Sequence, residues 1–153
     1  MWRGQRRLRI AACALAGAAA LVASALLMSG CGVTGSAGAQ SRVPLAKVWE
    51  RDFRIKAPTE LPAGNVRLSV YNDGPDAHEL IVVREGSKPL PFRGDGLTID
   101  EDAVERSTAG ALEPGQPETT RQLNLHLTPG RYVLFCNMSG HYLGGMHTQL
   151  VVR

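Results

Sequence analysis

Gly130-Arg131-Tyr132-Val133-Leu134-Phe135-Cys136-Asn137-Met138-Ser139-Gly140-His141-Tyr142-Leu143-Gly144-Gly145-Met146 reads as a strand that runs into a loop. The apolar and aromatic run Tyr132–Cys136 is a strand pattern bounded by the Thr128-Pro129-Gly130-Arg131 turn, in which Pro and Gly stand as a type II turn prefers. A histidine follows the cysteine after five residues, and a methionine follows the histidine after another five. Gly140, Gly144 and Gly145 allow the loop to fold tightly around a central atom. Singly, a buried Cys, a surface His and a core Met are ordinary. On one glycine-rich loop they form a ligand cluster.

The donor types suit copper. Thiolate favours Cu(I), imidazole accepts both oxidation states, and two His, one Cys and a weak axial Met make the trigonal site of copper electron transfer. Zinc is a poorer match, because a thioether is a weak zinc ligand and structural zinc sites use paired Cys spacing. Haem attachment would need Cys-x-x-Cys-His, which the chain lacks. The second histidine must come from elsewhere, and His78 is the best candidate. It opens an apolar strand directly after the turn residues Asn72-Asp73-Gly74-Pro75-Asp76. His126 and His147 fall on the outward side of their strands, and Met138 is expected to pack against the loop.

The pattern Asn72-x-Gly74-x-x-x-His78, followed by Tyr132-x-x-x-Cys136-x4-His141-x4-Met146, resembles the cupredoxins, the plastocyanin/azurin superfamily. The loop lengths are most similar to those of auracyanin, rusticyanin and sulfocyanin. The resemblance covers about residues 45–153. It implies one copper ion per chain, with His78 and His141 bound through imidazole nitrogen, Cys136 through thiolate and Met146 axially. It also implies that Tyr132 forms a tyrosine corner. One position departs from the family pattern. Many cupredoxins carry Asn after the first His, bonded across to the loop after the Cys; here it is Glu79. By period-two alternation with His78 and Leu80, Glu79 is expected to point to solvent.

Outward from the loop, the chain reads as short strands between Pro/Gly turns. Val48–Lys56 alternates loosely, Val66–Tyr71 alternates strictly, and His78–Val83 resumes after the turn. Leu123, Leu125 and Leu127 share one side of Gln122–Leu127, and Met146–Val152 is the last strand. An all-β, antiparallel Greek-key β-sandwich of cupredoxin type follows. Residues 84–118, broken by Pro89, Pro91, Pro114 and Pro117, are least regular; Asp100–Thr108 is either one short helix with acids in its first turn or a charged loop.

The N-terminal part is of a different kind. Arg3, Arg6, Arg7 and Arg9 precede nineteen uncharged residues, Ile10–Met28, as in a secretory signal. Leu27-Met28-Ser29-Gly30-Cys31 resembles a lipoprotein lipobox, which makes residues 1–30 a signal peptide, Cys31 the lipidated residue, 31–44 a flexible tether and 45–153 the copper-binding domain. Cleavage near Ala37-Gly38-Ala39 and a retained anchor are the alternatives. Without residues 1–30 the chain keeps thirteen Lys and Arg against fourteen acids, one net negative charge, so no basic surface for nucleic acid remains. Cys13 and Cys31 fall outside the domain, which leaves Cys136 without a disulfide partner there. The expected function is an extracytoplasmic, monomeric, non-enzymatic one-electron carrier, lipid-anchored to the outer face of the cytoplasmic membrane or else soluble and secreted. It would serve a redox donor and acceptor, with copper storage or delivery as the alternative.

Overall fold

A computed structural model describes residues 42–153; the expectations for the signal peptide, Cys31 and most of the tether lie outside the described residues. Nine strands form two sheets. The first holds β2 (Arg54–Lys56), β1 (Leu45–Arg51), β4 (Gly64–Asn72) and β7 (Thr120–Leu127) in that order. The second holds β3 (Glu60–Leu61), β9 (His147–Val152), β8 (Gly130–Phe135), β5 (His78–Arg84) and β6 (Thr108–Gly115). Most pairings are antiparallel. The pairs β1–β4 and β3–β9 are parallel, so both sheets are mixed.

Alternation builds the layer between the sheets. Val66, Leu68 and Val70 of β4 are buried while Arg67 is exposed, and Val48 of β1 pairs in register with Val70. They meet Leu80 and Val82 of β5, Leu134 of β8 and Leu150 of β9. Each such side chain contributes roughly 1.5–3 kcal/mol when fully removed from water. The Tyr132 hydroxyl donates to the Thr128 carbonyl at 3.0 Å and accepts its N–H at 3.2 Å, forming the tyrosine corner.

The second sheet is also covered on its other face. Ile81 and Val83 of β5, with Val133 and Phe135 of β8, pack against Ile99 and Val104 from the 85–107 excursion. That excursion contains the short helix α1 (Glu101–Val104), capped by the Asp100 carboxylate on the Ala103 N–H at 3.3 Å, followed by one 3-10 turn. Beyond it, β6 is a strand that the proline-rich sequence concealed. Val48–Lys56 is not one strand, as the alternation had suggested, but two, reversed at Asp52-Phe53. No Gly or Asn marks that turn, and Phe53 itself takes φ +60°. A non-glycine residue there is held by tertiary contacts.

Glu50 of β1 faces the core, fully buried, and pairs with Arg121 of β7. Its second oxygen has no partner. Burial pushes the Glu50 carboxyl up to about 7 against the opposing pull of the guanidinium. The folded state therefore binds this proton more tightly than the unfolded chain, whose carboxyl stays near 4.5. The resulting stabilisation appears as pH falls through 7 and is complete below 4.5. Arg121→Ala is expected to cost about 3 kcal/mol at pH 8, where it strands a buried carboxylate. Urea melts should show the loss shrinking at pH 5, as Glu50 takes up a proton.

Candidate metal centre

Three loops meet at one end of the sandwich. The first runs from β4 to β5 and is organised by Asn72, which is fully buried. Its amide donates to the Asp76 carbonyl at 2.8 Å and the Gly115 carbonyl at 2.9 Å, while its oxygen accepts the Gly74 N–H at 2.9 Å. Two of these bonds fix the turn before His78, and the third ties it to the end of β6. Gly74 is required by space: a Cβ there would stand 2.5 Å from His78 Nε2 and 2.9 Å from Asp52 Oδ1.

The second loop is the continuation of β8. Its backbone closes on itself: Cys136 N–H donates to the Met146 carbonyl at 3.1 Å, Met146 N–H to His141 at 2.9 Å, and His141 N–H to Met138 at 2.9 Å. Gly140 at φ +79° and Gly145 at φ +100° occupy the left-handed region that the closure needs. Asn137 ties this loop to the excursion. Its oxygen accepts the Ile99 N–H at 2.6 Å, and its amide donates to the Ile99 carbonyl at 3.0 Å and to Glu101 at 2.8 Å. The third loop is the β1–β2 turn, whose Asp52 reaches His78 and whose Phe53 ring lies 5.4 Å from the His141 ring. A Cβ on Gly144 would collide with that Phe53 ring.

These loops bring His78, Cys136 and His141 together, with their ligand atoms all within 4.8 Å of one another. Cys136 Sγ and His141 Nδ1 stand 3.6 Å apart, and the two imidazole centroids 5.3 Å apart at 61°. Metal–ligand bonds of roughly 2.0–2.3 Å at a trigonal angle separate donor atoms by roughly 3.5–4 Å, as observed for this pair. Met146 is fully buried and bonded by its backbone to both Cys136 and His141. His126 is exposed, 2.9 Å from Asn65, and exposed His147 stacks on Tyr142 at 4.7 Å; both stand apart from the cluster. Met138 packs on the main core.

Burial disfavours the charged forms of both His78 and Cys136. Desolvation lowers the proton affinity of His78, with Asp52 opposing. Both of its ring nitrogens are buried without an aligned hydrogen-bond partner. Burial pushes the Cys136 thiol up to about 11, although the backbone N–H groups of Met138 and Glu79 point at the sulfur. A bound cation would displace that proton. The chemistry of one thiol and two imidazoles, backed by a buried thioether residue, fits a single copper ion.

Glu79 corrects the alternation argument. It does lie opposite His78 on β5, but that face is roofed by the excursion, so the carboxylate is half-buried and accepts the Asn137 N–H. Its carboxyl is raised to about 6, first by desolvation and then by Glu101. It therefore bonds to the loop after Cys136 rather than to solvent. Asp52, Phe53 and Asn137 were not singled out from the sequence. Asn137 follows the cysteine, but nothing near Asp52 or Phe53 signals a site.

No family model and no curated protein matches the chain. Solved structures do. Reduced auracyanin from Roseiflexus castenholzii superposes with a TM-score of 0.55 at 17% identity, over 73% of this chain and 98% of that one. Auracyanin A from Chloroflexus aurantiacus, described as a "blue" copper protein, gives 0.53 at 19% over 71% and 98%. Rusticyanin from Thiobacillus ferrooxidans gives 0.53 at 16% over 73% and 79%. The fold is that of the cupredoxins, as the loop pattern implied.

Gly74→Ala should drive the His78 ring out of position. A metal titration is expected to show affinity reduced at least about tenfold, with the far-ultraviolet circular dichroism of the sandwich retained.

Proposed function

We propose that this cupredoxin-fold chain is a one-electron carrier that uses one copper ion cycling between Cu(II) and Cu(I) outside the cytoplasmic membrane. The convergence of buried His78 and Cys136 with half-exposed His141 carries the reading. Bound copper would supply the one-electron couple. The protein's part is to hold the donors: His78 and His141 through nitrogen, Cys136 through thiolate and Met146 as the weak axial ligand. Because the loops are closed by their own backbone hydrogen bonds, the donor positions need to change little between oxidation states. The match to auracyanin and rusticyanin structures supports the same use.

His141 is the electron exit. It is the partly exposed member of the set, and it is flanked by exposed Phe53 and Leu143. A small apolar rim around a ligand edge suits brief docking with donor and acceptor proteins, since transient redox contacts are small. The domain acts as a monomer and performs no substrate chemistry. A lipid on Cys31, following removal of residues 1–30, would hold the domain at 45–153 near membrane oxidoreductases and raise its effective concentration there.

The visible spectrum of the copper-loaded protein tests the reading. An intense thiolate-to-Cu(II) band and reversible one-electron cycling are expected, with the band abolished in Cys136→Ser. A colourless copper protein, or Cys136→Ser binding copper as tightly as the parent, would show storage or delivery instead. For the anchor, Cys31→Ala is expected to move the protein from the membrane to the soluble fraction; an unchanged distribution would rule out lipidation at that residue.

A further inference from the structure

We infer that Asp52, at the tip of the β1–β2 turn, is a positioning residue for His78: its carboxylate receives the imidazole Nε2–H and thereby presents Nδ1 to the metal. The inference rests on the copper reading above for its consequence, though not for the contact itself.

His78 is fully buried, and Asp52 Oδ1 is buried although the side chain as a whole is 26% exposed. The two atoms stand 3.1 Å apart. Neither has a well-aligned partner elsewhere among the described residues. Two buried, unpartnered polar atoms this close gain most by pairing, because a buried polar atom left unmet loses its hydration with nothing in return.

The surroundings are closed on this pair. A Cβ at Gly74 would meet His78 Nε2, Asp52 Oδ1 and the Asp52 backbone nitrogen at 3.1 Å, so the loop before β5 leaves room for the contact and for nothing larger. Asp52 is also held from its other side. The next residue, Phe53, adopts φ +60°, and its ring lies against Gly144 and 5.4 Å from His141. One turn thus touches both imidazoles. Arg51, the neighbouring cation, turns instead to Asp73 at the surface, 3.6 Å away, and leaves the Asp52 carboxylate free for His78.

A metal-bound imidazole whose second nitrogen donates to a carboxylate has a fixed tautomer and greater ligand basicity. The added anionic character favours the more highly charged metal. Asp52 therefore stabilises Cu(II) over Cu(I) and lowers the reduction potential of the site.

Long-range proton–nitrogen-15 spectra of the apoprotein, and separate Cu(II) and Cu(I) competition titrations, test this in Asp52→Ala, Asp52→Asn and Asp76→Asn. The exposed Asp76 removes a like charge from the same end of the molecule without contacting Nε2. The parent apoprotein is expected to show His78 in the Nε2–H form. Asp52→Asn should retain that form, since its amide oxygen still accepts, while Asp52→Ala should show a mixture of tautomers. The Cu(II)-to-Cu(I) affinity ratio should fall about tenfold in Asp52→Ala, a rise of about 59 mV for a one-electron couple. Asp52→Asn should show a smaller fall, and Asp76→Asn, whose charge reaches His78 only from a distance, a smaller one still. An Nδ1–H form in the parent, or Asp52→Ala with both tautomer and ratio unchanged, would overturn the assignment. So would Asp76→Asn moving the ratio as far as Asp52→Ala. A parent protein that holds no copper would instead defeat the carrier reading, and the apoprotein spectra would then decide the Asp52 contact alone.

Discussion

Neither ring nitrogen of His78 finds an aligned protein partner, and Cys136 keeps its thiol beside it, both at zero exposure. Polar donors are costly to bury in this state. They persist because the surrounding sandwich over-determines their positions. Leu80 and Val82 follow His78 on β5, and Leu134 precedes Cys136 on β8, all fully buried in one core. Moving either donor into water would therefore mean opening that core. The same constraint accounts for the raised thiol, the disfavoured imidazolium and the fit to a single soft cation.

Two asparagines convert that general burial into definite coordinates. Asn72 divides its amide between the turn before His78 and the end of β6, and Asn137 spends its amide on the excursion beside Cys136. Each is a short side chain satisfied almost wholly by backbone groups, so it fixes chain paths rather than other flexible side chains. The excursion is consequently more than a long connection. It roofs the second sheet with Ile99 and Val104, supplies Glu101 to Asn137, and turns the outer face of β5 into an interior where Glu79 can bond across to the loop. Glu79 and Glu50 raise the local negative character behind the thiol, while the site's exposed edge at His141 is rimmed by Phe53 and Leu143.

The strand patterns with strict alternation, Val66–Tyr71 and Gln122–Leu127, were legible because each has one wet face and one dry face. Two elements were not. β6 carries Ala, Gly and Pro with little burial contrast, and it exists because β5 offers it an edge. The β1–β2 turn has neither Gly nor Asn at its left-handed position; Phe53 accepts an unfavourable backbone there because its ring packs beside the ligand loop. Alternation placed Glu79 on the correct face but could not reveal that another segment covers it.

The sequence by itself determined the donor chemistry, since Cys136, His141 and Met146 lie on one short loop whose glycines are local requirements of its closure. It also determined the sandwich, through the period-two burial of its main strands. His78 was already the candidate its strand and the family pattern offered; tertiary structure alone decided what surrounds it, with Asn137 clamped to Ile99 and the Asp52-Phe53 turn over both imidazoles. The physical reason is range. Backbone closure and strand periodicity act between near neighbours in the chain, whereas the pairing of buried polar atoms depends on which surfaces the fold brings together.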